Sequence, residues 1–229
     1  MNRTQFINIL KKYKGIDVFN PYSDVCEVND KKNANKIRTI NLVEILEAAI
    51  EKGVDSIWVG RDLGHKGGRR TGLALTDEMH LYDAEVKWDV VLNQATKGSL
   101  LSERTASNIW SFINSIEQNI FMWNVFPFHP HEKGKPFTNR SHTAKERDEG
   151  IAILKSLVLL LKPEKIVAIG NDAYNASIKS FPHTEIYKIR HPSYGGEKEF
   201  SRQLTELYNV RPSEVDSLQN PQQSLDLGE

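Results

Sequence analysis

Short apolar runs alternate along the chain with longer segments in which apolar residues recur at helical spacing. Four apolar runs predict buried strands, at residues 56–60, 119–128, 165–170 and 186–190. Helical spacing predicts helices at residues 41–53, 104–118, 143–161, from about 171 onward, and 197–209. Strands that alternate with helices of about ten or more residues indicate a parallel sheet covered by helices. The pattern therefore predicts an α/β fold, a three-layer α/β/α sandwich around a central, mainly parallel four-stranded sheet.

Two kinds of segment interrupt this alternation. Glycines at positions 60, 64, 67, 68 and 72 predict a long loop after the first strand, because glycine is unfavourable inside helices and strands. A polar loop is expected between the second strand and about residue 140. The last residues are mostly Gln, Asn, Ser and acids, so a folded domain is expected over residues 1–210 and a disordered polar tail over residues 211–229.

Composition excludes several classes of protein. Lys plus Arg and Asp plus Glu both number 30, so a DNA-binding surface would have to come from local clusters of charge. Cys26 is the only cysteine, which excludes a disulfide framework, a thiolate zinc site and a four-cysteine iron–sulfur cluster. No run approaches the roughly 18 apolar residues that span a membrane, and the first residues lack the apolar stretch of a secretory signal. We therefore expect a cytoplasmic protein without membrane contact.

Two short motifs follow the first and the last predicted strands. Gly60-Arg61-Asp62-Leu63-Gly64 comes after the first, and His191-Pro192-Ser193 comes after the fourth. The carboxyl ends of parallel strands lie at one edge of the sheet, where ligands bind in such folds. A carboxylate and an imidazole that face each other there indicate cleavage of a bond with a positive centre on one side and an anionic leaving group on the other.

These residues resemble the motifs of the uracil-DNA glycosylase superfamily. The run from Gly60 to Leu75 is similar, without a gap, to the first motif of its single-strand-selective branch. Asp62 takes the place of the catalytic aspartate of the uracil-specific branch. Trp123-Asn124-Val125 looks like the middle motif, and His191-Pro192-Ser193 matches the last one. The segment from Ile169 to Ala173 is similar to the L-G-x-x-A segment of the family, and the resemblance spans roughly residues 56–195.

The resemblance implies a role for each matching position. Asp62 would stabilise the sugar cation and orient water, and His191 would donate a hydrogen bond to the departing pyrimidine O2. The base-binding residues would be Asn124, Gly64, Leu75 and Phe126. Gly64 replaces the tyrosine that excludes thymine, and Leu75 replaces the stacking phenylalanine, for which Phe126 or Phe128 could substitute. The DNA-binding residues would be Lys66, Gly67, Arg69, Arg70, Thr71, Ser193 and the wedge candidate Tyr194.

The function that follows is a monofunctional DNA glycosylase that flips out a uracil or modified pyrimidine and leaves an abasic site. No metal or organic cofactor is expected, the partner is DNA, and a monomer is expected. Gly64 leaves the pocket open toward the pyrimidine 5-position, and two biological settings fit such a pocket. One is base-excision repair, and the other is removal of hypermodified cytosine, such as glucosylated hydroxymethylcytosine, from phage DNA. A non-catalytic DNA-binding member of the fold and a hydrolase of small nucleosides are the rival hypotheses.

Each candidate residue also has a purely structural interpretation. Asp62 could pair with Arg61, His191 could simply end a strand, and Asn124 could make a structural hydrogen bond. The cluster of Arg140, His142, Lys145 and Arg147 could be functional or solvated. His129 and His131 are close enough in sequence to suggest a metal site, although no Cys or carboxylate ligand lies near them. Trp58 and Trp123 are interpreted as core residues rather than as platforms for base stacking.

Overall fold

The computed structural model describes residues 1–211. The helices are α1 (Arg3–Lys12), α2 (Ala34–Lys52), α3 (Gly68–Thr71), α4 (Leu81–Trp88), α5 (Arg104–Ile113), α6 (Ala144–Leu161), α7 (Asn171–Ser180) and α8 (Glu197–Tyr208). The strands are β1 (Val18–Phe19), β2 (Ser56–Asp62), β3 (Ile120–Phe126), β4 (His129–Pro130), β5 (Lys165–Ile169) and β6 (Glu185–Ile189).

The central sheet contains the four predicted strands in the order β3-β2-β5-β6. All three neighbouring pairs are parallel, and the register places Asp62, the last residue of β2, beside Phe126, the last residue of β3. β1 and β4 form a separate antiparallel pair. The predicted α/β fold with a four-stranded parallel sheet is therefore confirmed.

The connections place helices on both faces of the sheet. Parallel strands are joined by right-handed crossovers, so α6 and α7, which step from β3 to β5 and on to β6, share one face. The connection from β2 to β3 runs in the opposite direction, which places α5 on the other face. α8 joins α5 there, because Phe112 of α5 and Phe200 of α8 pack edge to face with ring centroids 5.7 Å apart. Tyr208 of α8 also accepts a hydrogen bond from Trp58 of β2 at 2.8 Å.

Helix α6 is fixed closely against the sheet near the ends of its strands. A capping box begins the helix: the Thr143 side chain accepts from the Glu146 backbone, and the Glu146 side chain accepts from the Thr143 backbone. Gly150 faces the backbone of β3, and a Cβ atom there would collide with the carbonyl oxygen of Val125. This close approach holds the segment before α6 beside the carboxyl end of the sheet.

The structure corrects the sequence predictions at several elements. The glycine-rich segment is not a continuous loop, because Gly68–Thr71 forms one helical turn that ends at Gly72, whose φ is +75°. The polar loop after β3 contains the short strand β4. α1 and α4 were not predicted, and α2 begins at Ala34 rather than near residue 41.

The predicted disordered tail, apart from residue 211, lies outside the described residues. Over residues 1–211, no helix combines the length and the apolar character needed to cross a membrane.

Candidate active site

A cavity of about 510 Å³ opens at the carboxyl edge of the sheet. Its walls come from the segments that follow β2, β5 and β6, from the start of α5 and from the loop before α6. The lining residues are Arg61, Asp62, Leu63, Gly64, Gly68, Leu75, Glu103, Thr105, Ala106, Asn139, Arg140, Ile169, Gly170, Asn171, Asp172, Arg190, His191, Ser193 and Tyr194. Its volume lies within the range of small-molecule sites, about 300–1,000 Å³. Asp62 and His191 therefore lie in the same cavity, as the two motifs had led us to expect.

Two cationic or polar partners fix the carboxylate of Asp62. Its Oδ1 is hydrogen bonded to Nδ1 of His142, and its Oδ2 accepts from Nε of Arg61 at 2.7 Å. The side chain of Asp62 is 6% exposed, so these two partners replace most of its water. Asp62 therefore pairs with Arg61, as the structural interpretation suggested, and it still lines the cavity.

His191 is held in one orientation by its own turn. Its Nδ1 accepts a hydrogen bond from the Ser193 backbone N–H at 3.1 Å. In a neutral imidazole, the nitrogen that accepts leaves the proton on the other, so Nε2 carries it. Two glycines allow this turn: Gly170, with φ of +91°, lies against the His191 side chain, and a Cβ at Gly196 would collide with the His191 carbonyl.

The electrostatic surroundings favour the neutral form of His191. Burial lowers its pKa from the ordinary value of 6.5, and the nearby charges of Arg61 and Arg190 lower the pKa further. Arg61 thus acts on both candidate residues, because it donates to Asp62 and its charge lowers the pKa of His191. Its guanidinium also lies 3.4 Å from the carboxylate of Asp172. At neutral pH the site presents a fixed carboxylate, a cation beside it and a neutral N–H donor.

Asn124 does not line this cavity. It lies beside Gly60 in the sheet register, is 1% exposed, and neither its Oδ1 nor its Nδ2 has a hydrogen-bond partner within residues 1–211. The structural hydrogen bond considered for it is therefore not present. Leu75 approaches the same point, since a Cβ at Gly60 would lie 2.9 Å from its Cδ2 and would collide with Oδ1 of Asn124. Leu75 itself lines the cavity and has a φ of +55°, which is unusual for a branched side chain.

The carboxyl group of Glu103 lies in the space that a side chain at position 64 would need. A Cβ atom on Gly64 would lie 2.7 Å from Oε1 of Glu103, and one on Gly67 would collide with Oε2. Burial raises the pKa of this carboxyl, the charge of Asp77 raises it further, and Lys66 lowers it. The two glycines of the first motif thus make room for a carboxyl group.

Four of the predicted DNA-binding residues lie in the interior. Arg70 is 7% exposed and donates to Glu78 at 2.8 Å and to Thr96 at 2.9 Å. Arg69 is 5% exposed and donates to the Pro136 carbonyl. Both guanidinium groups therefore pair with internal acceptors in this structure, and their contact with phosphates stays a prediction.

Two neighbours in the first motif and one expected stacking residue are also buried. The hydroxyl of Thr71, which is 1% exposed, donates to the Thr76 carbonyl at 2.8 Å. Gly67 is buried against Glu103. Phe126 is fully buried and packs on Phe128 with ring centroids 5.3 Å apart, so it does not replace the missing aromatic ring in the cavity.

The remaining predicted residues lie where a nucleic acid could reach them. Lys66 is exposed, and Ser193 lines the cavity and is half-buried. Tyr194 also lines the cavity, and it is 99% exposed with a φ of +53°, so its ring projects from the tip of a tight turn. Trp58 and Trp123 are buried in the core, as their structural interpretation predicted.

Sequence reasoning missed Glu103 and Arg190 and left His142 undecided. Glu103 lies in no recognised motif, and no periodic pattern marks it. Arg190 is exposed, lines the cavity and makes no ion pair within residues 1–211, although its position directly before His191 was a usable signal. His142 meets Asp62 across 80 positions of sequence, a contact that no local pattern indicates.

No group of three or more His, Cys, Asp and Glu side chains in residues 1–211 is arranged to hold a metal ion. Nε2 of His129 lies 2.8 Å from the Thr138 carbonyl. Burial, together with the charge of Arg69, lowers the pKa of His129 to about 3, so this imidazole is neutral at physiological pH. His131 points its Nδ1 at the Glu132 carbonyl, 3.0 Å away.

Comparison with known proteins shows the fold and the family. The crystal structure of wild-type SMUG2 from Pedobacter heparinus superimposes with a TM-score of 0.59 and 15% sequence identity, covering 90% of this chain and 94% of that one. No curated protein matches the sequence. The family model of the uracil DNA glycosylase superfamily matches residues 51–209, which include β2, β5, β6 and the whole cavity wall that they carry. The chain belongs to the uracil DNA glycosylase superfamily.

Proposed function

We propose that this protein is a monofunctional DNA glycosylase that hydrolyses the N-glycosidic bond of a flipped uracil or 5-substituted pyrimidine and leaves an abasic site. Family membership supports a DNA glycosylase. One observation carries the finer assignment: Asp62 and His191 line the same cavity, one as a fixed carboxylate and the other as a neutral N–H donor.

Asp62 acts on the sugar side of the bond. Cleavage develops positive charge on the deoxyribose ring, and a carboxylate stabilises such an oxocarbenium-like centre. The same carboxylate orients a water molecule and takes its proton as the oxygen bonds to C1′. His142 and Arg61 hold the carboxylate in place while this happens.

His191 acts on the base side. The electron pair of the broken bond goes to the pyrimidine, and the negative charge is delocalised onto O2, where Nε2–H of His191 donates a hydrogen bond. One well-placed donor of this kind contributes about 3–4 kcal/mol to the stability of a transition state. The released base then takes up a proton from solvent.

Asn124 reads the base after Leu75 moves aside. An amide with two buried, unsatisfied polar atoms is costly in the empty protein, by about 1–3 kcal/mol for each group. A pyrimidine offers both a donor and an acceptor on its Watson–Crick edge, which matches the amide. Leu75 lines the cavity and packs beside Asn124, so its displacement by the entering base would expose the amide.

The DNA backbone contacts are assigned to the accessible residues around the mouth. Lys66 and Arg190 contact phosphates, Ser193 binds the kinked backbone, and the ring of Tyr194 fills the stack that the flipped nucleotide vacates. Lys66 and Arg190 take over the role first expected for Arg69 and Arg70, and their charges make binding depend on salt concentration. DNA base-excision repair and attack on hypermodified phage DNA both remain consistent with this surface.

The test uses labelled oligonucleotides with uracil, a thymine mismatch, 5-hydroxymethylcytosine or glucosylated 5-hydroxymethylcytosine, followed by alkaline cleavage. The wild type should cleave at least one of them. His191→Ala should lower kcat by about 100–1,000-fold, the effect of one lost oxyanion donor, and Asp62→Asn should lower it further. His183→Ala and Asp148→Asn, at exposed positions, serve as matched controls.

Two outcomes would overturn the proposal. The wild type could leave every base in place while still binding the DNA, which would favour the non-catalytic rival. Alternatively, Asp62→Asn and His191→Ala could both retain wild-type rates, which would place the chemistry elsewhere.

A further inference from the structure

The side chain of Glu103 turns away from the helix that it begins. Glu103 is the N-cap residue of α5, a position whose side chain commonly accepts a hydrogen bond from the helix, yet the Glu103 side chain makes no such bond. Its carboxyl group lies instead beside Gly64 and Gly67 in the cavity wall, and neither oxygen makes a hydrogen bond within residues 1–211. A half-buried carboxyl group without a partner is unfavourable for folding. The group therefore calls for an explanation outside the stability of the fold.

Glu103 borders both segments that carry the candidate catalytic residues. Its carboxyl oxygens lie close to the glycine-rich segment that follows Asp62. The next residue, Arg104, donates to both carboxyl oxygens of Glu197 at 3.0 and 2.9 Å. Glu197 begins α8 directly after the turn that carries His191. The start of α5 is thus tied to the turn of His191, and the side chains of Asp62, Glu103 and His191 line one cavity.

We propose that Glu103 is a further catalytic residue, a general acid that gives its proton to O2 of the departing base while the glycosidic bond breaks. A carbonyl oxygen has two lone pairs, so O2 accepts from Nε2–H of His191 with one and from the carboxyl group of Glu103 with the other. This inference rests on the proposed function, because it concerns the same cleavage in the same cavity. The assistance grows with the basicity of the departing anion, so it matters most for cytosine-type bases, in which an amino group replaces one of the two carbonyls that share the charge in uracil.

The protons and electrons of this step balance within one turnover. As the bond between C1′ and the base nitrogen breaks, its electron pair stays with the base and the proton of Glu103 bonds to O2. The base therefore leaves as a neutral tautomer, and Glu103 becomes a carboxylate. Water adds to C1′ and its proton passes to Asp62. Exchange with solvent then returns a proton to Glu103 and removes one from Asp62.

The charges around Glu103 suit an acid. Burial raises the pKa of its carboxyl group, the charge of Asp77 raises this pKa further, and the charge of Lys66 lowers it. Asp77 is held close by, because its carboxylate accepts from the Glu103 backbone N–H. Asp62, by contrast, has a guanidinium and an imidazole as hydrogen-bond partners. Two carboxyl groups with such different surroundings in one cavity are the arrangement that separates acid from base in glycoside hydrolysis.

The experiment varies the basicity of the leaving group. Single-turnover rates are measured for uracil against 5-fluorouracil and for cytosine against 5-fluorocytosine, because fluorine withdraws electrons and makes the departing anion less basic. General acids contribute about 100–10,000-fold, so Glu103→Gln should lose that much on the more basic member of each pair that the wild type cleaves. The loss on the fluorinated member should be smaller by about tenfold or more. Glu27→Gln, at an exposed position, is the matched control and should keep both rates.

A pH profile on the best substrate gives a second readout that a merely structural role would not change. The wild-type rate should rise with pH as His191 loses its proton and fall again as Glu103 loses its own, since only the protonated carboxyl group is an acid. In Glu103→Gln the acid limb should remain and the alkaline limb should disappear. Melting temperatures establish that the variant, whose amide has nearly the same size, is folded.

Equal losses on both members of a cleaved pair, or an alkaline limb that persists in Glu103→Gln, would overturn the role of Glu103. The proposed function would survive that result, because the wild type would still cleave a base that depends on Asp62 and His191. If the wild type cleaves no base at all, the proposed function fails and the role of Glu103 fails with it.

Discussion

His142 offers the sharpest test of how the site is held together. Its Nδ1 is bonded to Oδ1 of Asp62, and it does not line the cavity. Within residues 1–211, Arg61 is the remaining side chain that hydrogen bonds Asp62 when His142 is removed. Loss of one hydrogen bond to a buried charge costs about 1.5–3 kcal/mol, which corresponds to about a 10–150-fold decrease in kcat when the bond is needed to position the carboxylate in the transition state. KM should change little.

Two amide substitutions give this prediction a matched control. The Nδ2 atom of asparagine takes the place of Nδ1 of histidine, whereas the amide of glutamine reaches the place of Nε2. His142→Asn should therefore restore kcat to within several-fold of wild type, and His142→Gln should stay close to His142→Ala. Single-turnover rates on the best substrate, with melting temperatures for each variant, are the measurements, and His183→Asn is the exposed control. If all three His142 variants cleave at the wild-type rate, or if only KM changes, the positioning role is refuted.

Two further predictions concern the buried amide of Asn124 and the imidazole of His191. Asn124→Leu removes two unsatisfied buried polar atoms, so the melting temperature of this variant should equal or exceed that of the wild type. Cleavage assays should show reduced activity. A clear loss of stability would indicate a structural role instead. Arg190→Gln removes a positive charge that lowers the pKa of His191. The pKa should then rise, and because the neutral imidazole is the active donor, the acid limb of the pH–kcat profile should move to higher pH; no shift, or one to lower pH, would contradict this electrostatic account.

The strands and the helices that cross between them could be predicted from sequence because each has its own pattern. Buried parallel strands are continuous apolar runs, and α6 carries a capping signal in Thr143 and Glu146. The missed helix α1 has the same signal, since Asn2 and Gln5 form a capping box there. Its apolar stripe is short, since only Phe6, Ile7 and Leu10 are buried, and the exposed Ile9 obscures the helical period.

The segment between β2 and α5 could not be predicted, because long-range pairing decides its structure. Arg70 would be expected at the surface by its type, and only Glu78 and Thr96, which approach it in space, explain its burial. The same limit applies to the site. Asp62 and His191 are marked by motifs at strand ends, whereas the roles of His142 and Glu103 become visible only once the fold brings His142 to Asp62 and Glu103 to the cavity wall.

The buried pair of Arg70 and Glu78 also bears on how this protein could be re-engineered. Removing one partner of such a pair costs about 3–5 kcal/mol, a large part of the stability of an ordinary domain. Because Arg70 lies in the glycine-rich segment, substitutions that break this pair should destabilise the whole domain. Position 103 is different, because its carboxyl group makes no hydrogen bond or ion pair within residues 1–211. Libraries that aim to reshape the cavity should begin there, and natural divergence among relatives would meet the least resistance at the same position.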